Sequence, residues 1–186
     1  MAPADQPERR VVLVRERVLV LGGIRSGKTA LAESMVSESG LPVVYVATAT
    51  AGDEEMAARI KRHQDSRPAG WGLCEAPVEL GSALERLNGD PEPPQLLIDC
   101  MSLWLSNLLC ADDDVFTRER AAFLDAVQTY SGSLVIVSNE VGLGTIGMDP
   151  LTRRFCDELG WLNQALAQAC DRVVMSVAGL PLVLKG

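Results

Sequence analysis

Short apolar runs alternate along the chain with longer segments in which apolar residues recur every three or four positions. The short runs are typical of strands buried on both faces, and they predict strands at 18–21, 42–48, 95–99, 134–138 and 172–177, with an edge strand at 181–185. The longer segments predict helices at about 28–39, 53–64, 78–87, 102–109, 116–130 and 151–169. This alternation predicts an α/β fold with a mostly parallel central sheet and helices on both faces.

Several boundaries between these elements are marked by residues that start or stop a helix. Gly40 and Pro42 end the first helix, and Asp53 is placed to cap the second. The stretch at 88–94 is rich in Gly and Pro and predicts a loop. Residues 1–10 are charged and rich in Pro, which predicts a disordered extension, and 11–186 are expected to form one domain.

The first predicted strand leads directly into a motif of the form G-x-x-x-x-G-K-[ST]. Glycines at these positions let backbone N–H groups curl around phosphate oxygens, and the helix that follows points its positive end at them. Lys28 is expected to reach the β- and γ-phosphates, and Thr29 to offer its hydroxyl to Mg²⁺. The predicted phosphate-binding loop comprises Gly22, Gly23, Ile24, Arg25, Ser26, Gly27, Lys28 and Thr29.

A carboxylate at the end of a neighbouring strand would complete a Mg²⁺ site. Asp99 closes the apolar run at 95–99 and is the first candidate. Glu140, which follows the run at 134–138, is the second, and a purely structural role for it is about as well supported by the sequence.

The overall composition limits which functions the chain can have. Its formal net charge is −8, its sequence pI is about 4.7, and it contains only three Trp, two Tyr and three Phe among 186 residues. A general nucleic-acid binder needs basic grooves and aromatic platforms, so this class is not expected. His63 is the single histidine, which excludes metal sites built from several imidazoles.

Cysteine usage and hydropathy suggest where the protein resides. The five cysteines are scattered, their number is odd, and no secretory signal is recognisable before them. No apolar run approaches the roughly 18–20 residues that a membrane span needs. We therefore expect reduced thiols in a cytoplasmic protein without a membrane span.

A local excess of positive charge surrounds the single histidine. Residues 59–67 carry four positive side chains against one negative side chain in an otherwise acidic protein, which favours an anionic ligand there. The alternatives are a solvated basic helix face and a structural histidine. A neutral imidazole beside cations is also able to attack phosphorus and form a covalent P–N intermediate.

Taken together, the motifs resemble those of the bifunctional adenosylcobinamide kinase/adenosylcobinamide-phosphate guanylyltransferases of cobalamin biosynthesis. The resemblance spans 18–185, and the segments that carry it are GGIRSGKTALAE (22–33), YVATA (45–49), DEEMAARIKRHQDSRP (53–68), LLIDCMSLWLSNLL (96–109), VSNEVGLG (137–144) and AGLPLVLK (178–185). It implies a P-loop NTPase fold of the RecA-like type and a homo-oligomer, such as a trimer. It also implies that adenosylcobinamide and adenosylcobinamide phosphate are substrates beside ATP and GTP.

The resemblance further implies two reactions and assigns residues to them. ATP or GTP would phosphorylate adenosylcobinamide, and GTP would then load GMP onto a histidine before GMP passes to the corrinoid phosphate, giving adenosylcobinamide-GDP. His63 stands at the position of that histidine, and Arg59, Arg62, Arg67 and Lys28 are candidates for steadying the leaving pyrophosphate. Beyond the loop at 22–29, the positions where the family contacts GTP are Ala47, Thr48, Ala49, Gln64, Asp65, Ser66, Arg67, Glu75 and Asp99.

Two departures from the family pattern stand out. Where the family commonly reads G-I-V-P, this chain has Thr145-Ile146-Gly147, and where the family commonly has Phe-Arg-Asp it has Phe155-Cys156-Asp157. The second departure removes a cation, which would alter the kinase reaction or the assembly if that cation contacts phosphate or a neighbouring subunit.

Two other functions compete with this interpretation. One is a single-function P-loop kinase for a small molecule, in which His63 is structural. The other is a GTP-dependent switch, which normally carries N-K-x-D for guanine, and no such run occurs in the sequence. The second therefore ranks lower.

Overall fold

The computed structural model describes residues 15–186 except Ser66, Thr145 and Ile146, and for Arg59 it describes the backbone only. The strands are β1 (Arg17–Gly22), β2 (Val43–Ala47), β3 (Gly72–Glu75), β4 (Gln95–Asp99), β5 (Leu134–Asn139), β6 (Arg172–Val177) and β7 (Leu180–Lys185). The helices are α1 (Lys28–Glu38), α2 (Glu54–Asp65), α3 (Leu80–Asn88), α4 (Met101–Leu109), α5 (Asp113–Thr129) and α6 (Pro150–Ala169). The predicted extension at 1–10 lies outside the described residues.

The described strands form one sheet in the order β3-β2-β4-β5-β1-β6-β7. All neighbouring pairs are parallel except β6 and β7, which form an antiparallel hairpin at one edge. The mostly parallel sheet and the edge strand near 181–185 are therefore confirmed. Because parallel strands point their carboxyl ends to the same edge, the segments that follow β1, β2, β4 and β5 meet there.

The two faces of the sheet are covered unequally. One face packs against α3, α4, α5 and α6 around a large core that contains Trp104 and Phe123, whose ring centroids lie 4.9 Å apart. The indole N–H of Trp104 donates a 2.8 Å hydrogen bond to the carbonyl of Val78, so this buried polar atom is satisfied. The other face packs against α1 through residues such as Ala32 and Val36. Helices thus lie on both faces, as the sequence predicts.

The pattern of apolar residues did not predict strand β3. Its four residues are mostly exposed, so they carry neither an apolar run nor a clean alternation. Pairing with β2 holds them in the sheet, with Val44 opposite Gly72 and Ala47 opposite Glu75. Helix α5 also begins three residues earlier than predicted, at Asp113, because acidic residues in its first turn favour the helix N-terminus without adding to the apolar pattern.

Two helical glycines offer a matched test of packing. At Gly81 in α3, a Cβ atom would lie 2.8 Å from the carbonyl carbon of Ala122 in α5, whereas at Gly160 in α6 it would meet nothing within 4 Å. We expect Gly81→Ala to lower the free energy of unfolding by about 1–3 kcal/mol through overpacking. Gly160→Ala should raise it by about 0.5–1 kcal/mol through helix propensity. Urea denaturation measures both, and a stabilised Gly81→Ala would contradict the close α3–α5 packing.

None of the helices within the described part of the chain is both long enough and apolar enough to cross a membrane.

Candidate functional site

Strand register gathers several polar residues at one edge of the sheet. Ala47 at the end of β2 lies opposite Glu75 of β3 on one side and Asp99 of β4 on the other. Asn139 at the end of β5 lies opposite Gly22, where β1 enters the phosphate-binding loop. In open parallel sheets, ligands typically bind at this edge, beside the carboxyl ends of the strands.

The loop at 22–29 requires glycine at two positions. A Cβ atom on Gly22 would lie 2.4 Å from Ser26 Oγ and 2.8 Å from the carbonyl oxygen of Ser176, so the strand cannot turn there with a larger residue. Gly27 has a φ of 92° and packs so closely on Gly179 that a Cβ atom would lie 3.1 Å from its Cα. Helix α1 then begins at Lys28.

The turn between β6 and β7 supports this loop from behind. The Gly179 N–H and the Ser176 hydroxyl each donate a 2.8 Å hydrogen bond to the carbonyl oxygen of Ser26. This contact gives the segment AGLPL at 178–182 a structural role, because its glycine reaches the loop at a positive φ of 81°. The hairpin therefore holds the loop in shape.

Lys28 and Thr29 lie at the start of α1 and face the end of β4. Lys28 Nζ donates a 3.1 Å hydrogen bond to the carbonyl oxygen of Gly23, which folds the side chain over the loop. Thr29 Oγ1 donates a 3.2 Å hydrogen bond to Asp99 Oδ2. A hydroxyl and a carboxylate are oxygen ligands of the kind that Mg²⁺ prefers, so this pair fits a Mg²⁺ site beside bound phosphates.

Helix α2 carries the single histidine beside the loop. Asp53 caps the helix, as predicted, by accepting a 2.7 Å hydrogen bond from the Met56 N–H. Met56, Ile60 and His63 recur at helical spacing on one face, and all three line the same cavity. The sequence spacing predicts that these three residues share one helical face, and in the structure that face lines the cavity at the sheet edge.

A cavity of about 190 Å³ lies between this helix, the loop and the carboxyl ends of the strands. Ten predicted site residues line it: Ile24, Lys28, Thr29, Ala47, Ala49, His63, Gln64, Arg67, Glu75 and Asp99. It brings together an imidazole, two cations and the proposed Mg²⁺ ligands. The remaining described loop residues (Gly22, Gly23, Arg25, Ser26 and Gly27) do not themselves line the cavity.

Four other predicted candidates do not line this cavity. The Thr48 side chain is buried, with its hydroxyl bonded to both the N–H and the carbonyl of Cys100 at 2.8 Å. Asp65 is exposed and pairs with Lys61, and exposed Arg62 donates to a carbonyl of its own helix. Glu140 accepts a 2.8 Å hydrogen bond from the Gly142 N–H within its own loop. Ser66 and the Arg59 side chain lie outside the described residues.

Two residues around the site were not singled out from the sequence. Tyr45 on β2 donates a 3.0 Å hydrogen bond to Asp99 Oδ2, and the Arg67 guanidinium carbon lies 3.5 Å from the centre of its ring. Glu33 lies four residues after Thr29, one helical turn further along α1, and is half-buried. The sequence signal for Tyr45 was a polar aromatic residue inside an aliphatic strand. The signal for Glu33 was a carboxylate one helical turn beyond the loop.

The charges of these groups influence one another. Burial and the nearby Asp99 carboxylate raise the pKa of Glu33, while His63 and Arg67 act in the opposite direction. Burial and Asp99 likewise raise the pKa of the Tyr45 hydroxyl, so it remains protonated and donates to the carboxylate. The cavity therefore holds acidic and basic groups close enough to act on one another.

Two buried polar atoms at the site have no hydrogen-bond partner among the described residues, namely Ser26 Oγ and Arg67 Nε. A buried donor without a partner is costly, and Arg67 lines the cavity, so an anionic ligand bound there would suit this donor. Ser26 Oγ belongs to the loop and does not line the cavity.

Solved structures of low sequence identity share this fold. A protein from Pyrococcus horikoshii OT3 designated PH0250 aligns over 94% of this chain and 89% of its own, with a TM-score of 0.52 and 15% identity. The ATPase EscN of the enteropathogenic Escherichia coli type III secretion system aligns over 88% of this chain and 43% of its own, with a TM-score of 0.55 and 11% identity. The fold is an α/β P-loop NTPase fold of the RecA-like type.

Sequence comparisons are more specific. The family model described as "Cobinamide kinase / cobinamide phosphate guanyltransferase" matches residues 18–184. "Bifunctional adenosylcobalamin biosynthesis protein CobP" of Pseudomonas aeruginosa is 49% identical over 172 residues, covering 91% of this chain and 98% of that protein. "Bifunctional adenosylcobalamin biosynthesis protein CobU" of Salmonella typhimurium is 36% identical over 183 residues, covering 90% and 99%. This chain therefore belongs to the cobinamide kinase/cobinamide phosphate guanyltransferase family of bifunctional enzymes.

Proposed function

We propose that this enzyme phosphorylates adenosylcobinamide with ATP or GTP and then transfers GMP from GTP, through a covalent intermediate on His63, to adenosylcobinamide phosphate. The product of the second reaction is adenosylcobinamide-GDP. The observation that carries the proposal is that the only histidine of the chain lines the same cavity as Lys28 and Thr29 of the phosphate-binding loop. The names of the relatives support the substrate class.

In the first reaction, the corrinoid hydroxyl oxygen attacks the γ-phosphorus and releases its proton to solvent, and the bond from that phosphorus to the bridging β-phosphate oxygen breaks. Lys28 and Arg67 offset negative charge on the phosphates, and the loop N–H groups hold them in place. Thr29 and Asp99 would hold Mg²⁺, which supplies charge neutralisation when bound. The chain contributes chiefly positioning and electrostatics to this step.

In the second reaction, a neutral imidazole nitrogen of His63 attacks the α-phosphorus of GTP. A P–N bond forms, the bond from the α-phosphorus to the bridging oxygen breaks, and pyrophosphate leaves with the bonding electrons. A phosphate oxygen of the corrinoid then attacks the same phosphorus, and the P–N electrons return to the imidazole. Lys28 and Arg67 are the described cations placed to steady the pyrophosphate.

Labelled GTP tests this assignment. Incubation of the protein with GTP labelled at the α-phosphate should leave label covalently attached, stable to alkali and labile to acid, while γ-labelled GTP should leave none. Adding adenosylcobinamide phosphate should release the label as adenosylcobinamide-GDP. Phosphorylation of adenosylcobinamide without any α-label would instead identify a single-function kinase.

The proposal also covers the cellular compartment of the enzyme. We place it in the cytoplasm, because its five cysteines are all free thiols, as expected for a reducing compartment.

We also propose a homo-oligomer, such as a trimer, that associates through β7. This edge strand is exposed along its whole length and presents Leu180, Leu182 and Leu184. Exposed apolar edge strands readily pair with another chain.

The two edges of the sheet provide a matched test of this assembly. Leu182 on β7 is 53% exposed and Leu73 on β3 is 52% exposed. We expect Leu182→Lys to convert the oligomer to monomers in sedimentation velocity, because a buried lysine at an interface is costly. Leu73→Lys should leave the oligomer intact. Wild-type protein that sediments as a monomer, or equal effects of both variants, would contradict association through β7.

A further inference from the structure

Tyr45 occupies an unusual position for a core residue of the sheet. It lies in the middle of β2, among Val43, Val44 and Val46, and is almost completely buried on the face covered by α1. Its hydroxyl has a hydrogen-bond partner, because it reaches the end of the neighbouring strand β4 and donates to Asp99 Oδ2 at 3.0 Å. The packing around the ring and this hydrogen bond both define where the ring lies.

The Arg67 guanidinium stacks over the face of the Tyr45 ring. The guanidinium carbon lies 3.5 Å from the ring centre, well inside the roughly 6 Å range of cation–π contacts. Arg67 lies two residues beyond the end of α2, and its N–H donates a 3.3 Å hydrogen bond to the carbonyl of Gln64. The last turn of α2, which carries His63, is thus tied through Arg67 to the ring of Tyr45.

We propose that Tyr45 is a positioning residue for GMP transfer: its ring holds Arg67, and with it the end of α2 that carries His63, against the phosphate-binding loop. The inference rests on the proposed function and adds a residue to it. The stacked arginine is therefore one restraint on where the imidazole stands relative to Thr29 and Asp99. In this proposal Tyr45 acts through Arg67 and not on a reacting atom.

Variants at this position separate the ring from the hydroxyl. Tyr45→Phe keeps the ring, and Tyr45→Leu keeps a shorter apolar side chain without an aromatic face. A displacement of about 1 Å can lower a rate a hundredfold. At saturating α-labelled GTP, we therefore expect Tyr45→Leu to label His63 about tenfold more slowly than wild type, or more slowly still. Tyr45→Phe should label within about threefold of the wild-type rate. Val43→Ala, a buried change on the same strand and face, is the matched control and should label like wild type.

A second measurement is independent of activity. In wild-type protein, the ring current of Tyr45 should shift the Arg67 Nε–H resonance to lower frequency, and Arg67→Lys assigns the signal. The shift should persist in Tyr45→Phe and disappear in Tyr45→Leu. In the double variant Tyr45→Leu/Arg67→Gln, the labelling rate should equal that of Arg67→Gln alone, because Tyr45 acts through Arg67.

The outcomes are distinguishable. Normal labelling by Tyr45→Leu, an equal loss in Val43→Ala, or additive losses in the double variant would each overturn the positioning role. The absence of α-label in wild-type protein would overturn the proposed function instead, and the Arg67 resonance would then decide by itself whether Tyr45 holds that side chain. A wild-type resonance without the shift would overturn the contact from which the inference starts.

Discussion

Replacement of His63 by alanine is expected to abolish the covalent α-label from GTP while phosphorylation of adenosylcobinamide remains within about threefold of the wild-type rate. His63 is the only imidazole in the chain, so no second histidine is available to replace it. The cavity places it beside the phosphate-binding loop, whereas the kinase step is proposed to use the loop, Thr29 and Asp99 rather than the imidazole. In this proposal only one of the two reactions depends on the side chain of His63.

The size of the expected loss follows from what the nucleophile does. Without it, GMP transfer would have to occur in one step between two polyanions, and removal of a covalent nucleophile typically costs a factor on the order of 10³ or more. Formation of adenosylcobinamide-GDP should fall by that amount, as measured by chromatography of the corrinoid products. The phosphorylated corrinoid should accumulate in its place.

Lys61→Ala is the matched control for this variant. Lys61 lies on the same helix, is exposed, and forms a surface ion pair with Asp65. Its loss should leave both reactions unchanged. Retention of the α-label in His63→Ala, or equal losses of both reactions, would contradict the assignment of His63 as the nucleophile.

Replacement of Lys28 by methionine is expected to lower both reactions by roughly 10²–10³-fold. Methionine keeps the aliphatic length of the side chain and removes only its charge. The physical reason is that one loop is proposed to hold the triphosphate in both steps, so its cation stabilises charge in each transition state. Single-turnover assays with γ-labelled ATP and α-labelled GTP measure the two reactions separately.

The comparison between the two reactions is the informative part of this experiment. A Lys28→Met protein that loses phosphorylation but still forms the GMP adduct would place the two nucleotides in different sites. Urea denaturation serves as the control for folding. Lys28 also bonds to the carbonyl of Gly23 within the loop, so a destabilised variant would reflect a structural contribution of that bond.

Most of the fold could be predicted because its signals are local. The central strands are apolar on both faces and the helices carry apolar residues at regular spacing, so each element is recognisable without its neighbours. Strand β3 was missed for the converse reason: it is short and mostly exposed, and only its pairing with β2 makes it a strand. Strand order was also beyond the sequence, because it depends on contacts between segments far apart in the chain.

Part of the candidate site could likewise be predicted from the sequence and part could not. The phosphate-binding loop, Asp99 and the face of α2 with His63 could be predicted from spacing, and the structure brings all three to one cavity. Thr48 was predicted to contact nucleotide; in the structure its hydroxyl holds the backbone of Cys100, and the nucleotide contact stays a prediction. A short polar side chain after a strand serves either role, and spacing does not distinguish them.

The amino-acid sequence by itself determined which residues can carry the chemistry: one histidine, one loop lysine, and a carboxylate at the end of a strand. Only the tertiary structure decided which of them act together and what holds them in place. Tyr45 and Asp99 are 54 residues apart in the chain and share a hydrogen bond because β2 and β4 are neighbours in the sheet. Such contacts depend on strand order and long-range packing, which no local pattern of residues encodes.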